Sequence, residues 1–576
     1  MLRPITTKIH DSAGKNILMP ESCKRIRDMD GYCVHCLKVT MSKYVCLVAA
    51  LSVAVELSAQ TSRPSSLLAV DFQKLVSRAD LVYDQPVARS EEGMPVGNGS
   101  MGTLVWTTRS SLHFQLNRVD VFANNSDSDN FFERHTDYCG GVGFIDIDIA
   151  DEGHDLFLGD SFRQRLRCYD GIVTTAGGLV EASTFVWQEQ DVMAVSITDT
   201  RDNKQPVYIH LRPLRAPQVR RGDHLAKSMV KVAGNRIILT QEFREDDYYC
   251  ASAVVVEVSD RRSIASLESE TLARLITGTS EKPTVILAAT AASFDPSRDL
   301  VAEATKKLDA ARVKGVAGML DANSSWWKEF WEQSFVHLHS ADGVAEMVEK
   351  HYAYYLYVMA SSSRGAYPAK FNGMLWTTGG DERKWGSLFW GANQSCLYNA
   401  LFQANHPELL MPMFDMYSNA ISSFGIAARQ QWGSDGIFIP ETMAFDGFAP
   451  LPEDIAAEMR LLYLGGKNWT DRSKRFESYA WTKMPFQSRW NWKKDVGWKN
   501  GQWQYSDKGG GPYGHVTHIF SRAAKVAYQY WLYYEYRVTR RGWGNGRIRC
   551  CAVLRSSTEP IPIFKSMPME NITSIT

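Results

Sequence analysis

The first half of the chain is dominated by short runs in which apolar and polar residues alternate. Gly, Asn and Asp punctuate these runs between residues 81 and 287. A period of two is typical of β-strands, and many strands with no helices between them predict a large antiparallel β-sandwich. We assign residues 60–296 to this domain. The runs, in order, are TLVWT, SLHFQL, FIDIDIA, LVEASTFVW, VMAVSIT, VYIHLRP, RIILTQEF, ASAVVVEV and PTVILAAT.

The hydrophobic period becomes helical after residue 296. Residues 297–338 predict a connector helix that ends in an aromatic cluster of Trp326, Trp327, Phe330 and Trp331. Residues 339–536 are α-rich, and long loops containing Trp, Gly, Asn and Asp separate the helices. Loops of this kind often carry binding sites. The fold class is therefore multidomain, β followed by α. We expect the later helices at residues 344–361, 393–405, 407–430 and 515–536.

The strongest apolar run near the N-terminus lies in MSKYVCLVAALSVAVELSAQ, which begins at Met41. A lysine, an apolar stretch and a small-x-small end predict a signal peptide over residues 41–59. The protein is therefore expected to be exported to the periplasm or the cell exterior. The apolar run is too short to span a membrane. Because a signal peptide begins at its start codon, we interpret residues 1–40 as a spurious extension.

The C-terminal segment, residues 537–576, has neither a helical nor a strand period. A one-nucleotide shift of the reading frame from about Arg541 could encode an amphipathic helix that continues the preceding one. We therefore predict that this tail is frameshifted. The DNA sequence around codon 536 decides between the two readings.

Composition and charge narrow the class of ligand. The 64 basic residues balance 64 acidic ones, so the formal net charge is zero and we expect no nucleic-acid partner. Cys33 and Cys36 form a CxxC, but it lies in the segment interpreted as spurious. His515 and His518 lack the further ligands that a metal site needs. We expect neither a metal nor a cofactor, and a neutral ligand fits better than a polyanion.

Two N-terminal segments, EEGMPVGNGSMGTLVW and SLHFQLNRVDVF, resemble the sandwich of the α-L-fucosidase-like glycoside hydrolases. In that family a P-x-G-N-G-x-x-G turn precedes a strand, and here Gly97, Gly99 and Gly102 take the glycine positions. Glycine permits a positive φ and a close approach of two chain segments. The resemblance implies an antiparallel β-supersandwich, a connector helix and a six-hairpin (α/α)6 barrel, of which residues 339–536 would be the first part.

A third segment, beginning KFNGMLWTTGG, resembles the ligand-facing N-x-x-G-x-W loop of that barrel through Asn372, Gly373 and Trp376. The helix start that follows has Asn393 at the second of the family's two asparagines, but Gly391 at the first. The resemblance implies that Asn393 orients the attacking water. From the residues alone, a helix N-cap explains Asn393 about as well.

The segment QQWGSDGIFIPETMAFDG places Glu441 in a loop, where the resemblance implies the general acid. Apolar neighbours would desolvate this carboxyl group and raise its pKa, as a proton donor requires. A solvated loop glutamate is the alternative. The expected aromatic neighbours are Trp432, Phe438 and Phe445, and the reserve acids are Asp435 and Asp446.

Sugars present both hydroxyl groups and apolar C–H faces, so their sites combine aromatic rings with amides and carboxylates. An aromatic stripe is often core instead, but these aromatics lie largely in Gly-rich loops. The predicted substrate-binding residues are Asn372, Trp376, Trp390, Gln394, Trp432 and Tyr513, with Trp385 as a further aromatic.

The expected parental function is inverting hydrolysis of a glycosidic bond in an oligo- or polysaccharide, with Glu441 as acid and Asn393 holding water. Such hydrolysis needs a second carboxyl group as base. The family carries that base late in the barrel, and no match is present, so this copy is expected to be truncated and inactive. Two alternatives stay open: a carbohydrate-binding protein without catalysis, and a sugar phosphorylase, for which we see no phosphate site.

Overall fold

The structure is a computed structural model. All elements discussed below belong to one compact unit, Asp71–Thr576. The described residues are 69–87, 89–123, 140–149, 155–221, 223–259, 262–370, 373–376, 388–440, 442–468, 471–483, 497–499, 502–504 and 521–538.

Two antiparallel sheets form the N-terminal part. The larger has ten strands in the order β1-β6-β7-β8-β9-β17-β14-β13-β12-β11, and the smaller has seven in the order β15-β16-β10-β5-β4-β3-β2. A short helix, α1 (Phe72–Val76), precedes them. The strands are β1 Leu81–Tyr83, β2 Met94–Gly97, β3 Met101–Thr107, β4 Ser111–Arg118, β5 Gly141–Asp148, β6 Arg163–Arg167, β7 Ile172–Gly177, β8 Val180–Val186, β9 Val192–Asp199, β10 Tyr208–Arg212, β11 Gln218–Arg221, β12 His224–Ala233, β13 Arg236–Glu245, β14 Tyr248–Val258, β15 Ser263–Ser269, β16 Leu272–Thr277 and β17 Thr284–Ser293.

Strand β14 explains why one predicted run, ASAVVVEV, is apolar almost throughout. Val254 and Val256 face the core between the two sheets. Ala253 and Val255 point the other way, into a second core that the connector helix covers. Because both faces of this strand are buried, the usual alternation of apolar and polar residues disappears.

The connector helix, α2 (Leu300–Trp331), begins at Asp299, whose side chain accepts a 2.9 Å hydrogen bond from Ala302 N. Leu300, Ala304 and Leu308 recur at helical spacing and pack on the large sheet. The prediction of one continuous helix needs a correction. Gly315 has φ 69° and ψ 160°, so the helix is interrupted there by a residue in a conformation that favours glycine.

A helical part follows the connector, so the predicted class of antiparallel sandwich followed by helices is confirmed. The predicted single helix at 407–430 is wrong, because Ala420 leaves the helical conformation and divides it. The elements are α3 Val344–Ser362, β18 Phe389–Trp390, α4 Gly391–Gln403, a 3₁₀ turn Pro407–Leu410, α5 Met411–Asn419, α6 Ile421–Ala427, a π turn Ala428–Trp432, β19 Thr442–Met443, α7 Glu453–Tyr463, α8 Lys474–Lys483, β20 Gly497–Lys499, β21 Gln502–Gln504 and α9 Ser521–Val538. Within the part of the chain that the structure describes, no helix is both long and apolar enough to cross a membrane.

Candidate functional site

A two-stranded ribbon brings two of the predicted site segments together. Trp390 in β18 pairs with Thr442 in β19, and Phe389 pairs with Met443. Trp390 directly precedes the helix that carries Asn393, and Thr442 directly follows Glu441 in the sequence. Three predicted site residues, Asn372, Glu441 and Tyr513, lie outside the described residues, as does Trp385.

The first turn of α4 carries Asn393, the predicted water-holding residue. Helix α4 begins at Gly391, so Asn393 is its third residue and is exposed to solvent. The interpretation of Asn393 as the N-cap is therefore wrong. Strand β18 runs directly into the helix, which makes Trp390 the capping residue, with φ −100° and ψ 111° and no side-chain cap.

Arg522, on α9, is the residue near this site that the sequence analysis missed. Its side chain is 1% exposed and lies against the first turn of α4. The guanidinium donates to Gly391 O and Ser395 Oγ, and Nη2 donates to Gln394 Oε1 at 3.1 Å and to the hydroxyl of Tyr417. A lone arginine, 131 residues from Gly391 in sequence, has no motif that would have marked it.

Gly391 departs from the asparagine that the family resemblance expects, and Arg522 supplies a physical reason. A Cβ atom at position 391 would lie 2.4 Å from Arg522 Nε and 2.5 Å from its Cδ. Real Cβ atoms do not approach other heavy atoms so closely. Any side chain at this position would therefore have to displace the buried arginine.

Gln394 and Trp376, both predicted substrate ligands, are buried and hydrogen-bonded within the protein. Gln394 Oε1 accepts a 2.7 Å hydrogen bond from Tyr417 as well as the bond from Arg522. Trp376 is 4% exposed, and its Nε1 donates to Val96 O at 3.2 Å. These contacts hold α4 and the sandwich in place, and direct contact with a sugar stays a prediction for both residues.

The aromatic residues expected around Glu441 belong to two separate clusters. Trp432 is half-buried, stacks on Tyr463 at 4.3 Å between ring centroids and meets Phe438 edge-on at 5.5 Å. Phe445 instead stacks on Phe122 of the sandwich at 4.3 Å. The loop on either side of position 441 thus joins one cluster within the helical part to another at the sandwich.

The cluster at the sandwich consists of aromatic rings with charged groups beside them. Its rings are Phe122, Tyr248, Phe294, Tyr367 and Phe445. Lys370 Nζ lies 4.8 Å from the centroid of the Phe122 ring. Burial raises the pKa of Tyr367, and the negative charges of Asp446 and Asp120 raise it further. Of the two reserve acids, Asp446 is therefore half-buried beside this cluster, whereas Asp435 is exposed.

The glycine-rich turn of the first motif connects the sandwich to the helical part. Gly99 has φ 87°, and a Cβ there would lie 2.5 Å from the Cβ of Arg364. Its N–H donates to Ser361 O at 2.9 Å, and its carbonyl accepts from Gly365 N at 2.9 Å. The close approach predicted for this motif therefore serves docking on the end of α3.

The second motif, QLNRVDVF, supplies a buried network of charges. Arg118 binds Asp120 through two hydrogen bonds of 2.7 and 2.8 Å and contacts Asp191 at 3.0 Å. Lys307 on α2 reaches the same Asp191 oxygen at 2.7 Å, and Asn98 Nδ2 lies 3.3 Å from its other oxygen. Burial favours neutral Asp191, but Arg118 and Lys307 outweigh it and hold its pKa well below its ordinary value.

Across the described residues, no three His, Cys, Asp or Glu side chains are grouped so that they could hold a metal ion. The described cysteines, Cys168, Cys250 and Cys396, form no disulfide with one another.

Comparison with known proteins gives the following similarities. A family model described as a domain of unknown function (DUF5703) matches residues 82–251. No curated protein matches the chain. A protein assigned as a kojibiose phosphorylase, from the human microbiome, is similar with 13% identity and a TM-score of 0.44, over 65% of this chain and 53% of that one.

Two further solved structures come from Bacteroides thetaiotaomicron. A family GH92 α-mannosidase has 9% identity and a TM-score of 0.34, over 81% of this chain and 63% of that one. A family GH92 inverting mannosidase has 11% identity and a TM-score of 0.35, over 69% and 53%. The chain thus spans between about half and 63% of the length of these structures. The resemblance to α-L-fucosidase-like hydrolases is not confirmed by them, and all three are glycoside-processing enzymes.

Proposed function

We propose that this chain carries the glycoside-binding and acid-donating part of an inverting glycoside hydrolase. The observation that carries the proposal is the β18–β19 ribbon. Trp390, which directly precedes the Asn393 helix, pairs with Thr442, which directly follows Glu441 in the sequence, and this pairing supports the proposal. Water and proton donor must act on the same glycosidic bond, so the two segments that supply them must be neighbours.

In the proposed reaction, Glu441 donates a proton to the leaving glycosidic oxygen and Asn393 orients water for attack on the anomeric carbon. The exposed position of Asn393 in the first turn of α4 leaves its amide accessible to a ligand. The half-buried rings of Trp390 and Trp432 present apolar surface that suits the C–H faces of a sugar.

The experiment measures turnover and binding separately. The full chain is incubated with aryl α-L-fucosides, aryl α-mannosides and oligosaccharides, and NMR follows the anomer released first. Glu441→Gln should retain sugar binding and abolish whatever turnover the wild type shows, whereas Glu453→Gln, at an exposed position of α7, should change neither. Release of the retained anomer, or equal turnover by Glu441→Gln, would contradict the mechanism. Binding without turnover by every form would instead favour a carbohydrate-binding protein.

Export is a separate proposal and rests on the sequence of residues 41–59. Expression in a Gram-negative host, followed by N-terminal sequencing of the periplasmic protein, tests it. A mature protein that begins at Gln60 is expected. An uncleaved chain confined to the cytoplasm would rule the proposal out.

A further inference from the structure

Arg522 is a buried cation whose hydrogen-bond partners are neutral groups. Within the part of the chain that the structure describes, these partners are a backbone carbonyl, a hydroxyl, an amide oxygen and a phenol. Among the described residues, none of the carboxylates forms an ion pair with it. Burial of a guanidinium without a counter-charge is unfavourable, so a buried arginine of this kind is generally found beside an anion.

The position of Arg522 adds to the positive potential of a helix end. Its Nε lies against Gly391, the first residue of α4. That helix has 13 residues, and its N-terminal end has no side-chain cap. The amide dipoles of the helix leave partial positive charge at this end, where anions are favoured. A cation placed at the same end increases its attraction for a negative group.

Two buried donors at this end of α4 have no acceptor among the described residues. They are Arg522 Nε and Nε2 of Gln394, whose side chain is likewise 1% exposed. Unsatisfied donors of this kind are rare in folded proteins. Both flank a first turn in which Ala392 and Asn393 are exposed, so a ligand from solvent can approach this end of the helix.

We infer that the first turn of α4 binds an oxyanion, supplied either by the carboxylate of an acidic sugar or by inorganic phosphate. The amide of Asn393 and the first-turn backbone contact the anion, and the charge of Arg522 attracts it through the low-dielectric interior. The identification of the anion with a sugar or its attacking phosphate rests on the function proposed above. Anion binding itself rests on Arg522, Gln394 and α4.

The same site would affect the choice of reaction. A positive potential beside Asn393 favours a negatively charged group where the hydrolytic proposal places water. Phosphate at this position would make the site suitable for phosphorolysis, whereas an acidic sugar would place its carboxylate there. Phosphate and the sugar carboxylate would both bind through negatively charged oxygen atoms, and binding measurements with each ligand distinguish them.

Isothermal titration calorimetry of the full chain tests the inference at constant ionic strength. The probes are sodium phosphate, sodium glucuronate and glucose. One of the two anions should bind at one site per chain. Glucose should bind with an affinity at least about tenfold lower. If phosphate alone binds, the anion is phosphate, and if glucuronate alone binds, it is a sugar carboxylate. If neither anion binds more tightly than glucose, the inference is wrong.

Two variants and one control test the role of the named residues. Arg522→Met should lower the affinity for the anion about tenfold. Lys525→Met, which removes an exposed charge from the same helix, should leave that affinity unchanged. Asn393→Asp should also weaken it about tenfold. This variant covers the case in which Arg522→Met fails to fold, since an acidic residue is favourable in the first turn of a helix. Wild-type anion affinity in Asn393→Asp would overturn the inference.

Failure of this inference and failure of the proposed function give different results. Anion binding without any turnover of glycosides would support the anion site and contradict the proposed hydrolase function. Turnover of neutral glycosides without anion binding would support the hydrolase function and contradict the anion site.

Discussion

The phenol of Tyr357 donates a 2.7 Å hydrogen bond to the carbonyl oxygen of Pro95. Tyr357 lies on α3 and is fully buried, and Pro95 lies on β2 beside the glycine-rich turn. The bond therefore joins the helical part to the sandwich, at the motif that first suggested the family. Replacement of the tyrosine measures what this junction contributes to stability.

Tyr357→Phe should lower the free energy of unfolding by about 1 kcal/mol, because it leaves the Pro95 carbonyl without its buried donor. Urea denaturation checks the value. Tyr528→Phe serves as the control, since Tyr528 is 60% exposed on α9 and should change stability little. Equal effects of the two substitutions would show that the buried hydrogen bond is not needed at the junction.

Gly391→Ala should destabilise the protein by about 1–3 kcal/mol, although alanine favours helices, because the new methyl group would overlap Arg522. Gly318→Ala in α2 is the matched control. There the added Cβ would contact only the flexible Lys314 side chain, at 3.3 Å, so a neutral or stabilising effect is expected. Thermal unfolding measures both, and a stable Gly391→Ala would contradict the close contact.

Asp191→Asn should lower stability by about 3–5 kcal/mol at neutral pH, because Arg118 and Lys307 would lose a shared carboxylate. The folded-state pKa of Asp191 is depressed, so its contribution is present above the unfolded-state pKa and is lost as pH falls. The wild type should therefore lose stability below about pH 4, and the variant should lose less. Asp435→Asn, at an exposed position, is the control, and acid titration followed by circular dichroism is the measurement.

Ionisation of Asp170 should affect the stability of the fold in the opposite direction to that of Asp191. Burial raises the pKa of Asp170 to about 6. The positive charge of Arg167 opposes this shift, and the negative charge of Asp80 adds to it. Because the folded-state pKa is above the unfolded one, stability is highest below the unfolded-state pKa and decreases as pH rises to about 6. Asp170→Asn should remove that decrease, with a gain on the order of 2 kcal/mol at pH 7.

Urea denaturation from pH 4 to pH 8 tests the prediction for Asp170. The difference between variant and wild type should grow between pH 4 and pH 6 and then stay constant. A difference that is independent of pH would show that the carboxyl group is ionised throughout this range.

The fold was largely predictable from local patterns. Alternation of apolar and polar residues located the nine predicted strands, all of which are present, because the side chains of a strand alternate between faces whatever its partners are. Helical spacing located the connector helix in the same way. The break at Gly315 was not predicted, since a glycine within a helical pattern can either continue the helix or interrupt it.

The candidate site was less predictable, because its geometry depends on contacts distant in sequence. The motifs drew attention to Asn393 and to the loop around Glu441, but only the pairing of Trp390 with Thr442 showed that the two segments are neighbours. That pairing also determined where α4 begins, which moved Asn393 from the N-cap into the first turn.

The sequence by itself determined the strands, the connector and the class of residue in the site, since each follows from spacing along the chain. Only the tertiary structure decided what those residues do to one another. Arg522 packs against Gly391, where the resembling family has asparagine, and the oxygen of Gln394, a predicted sugar ligand, is bonded to Tyr417 and Arg522. Contacts across more than a hundred residues leave no periodic trace in a single sequence, because chain folding alone brings such positions together.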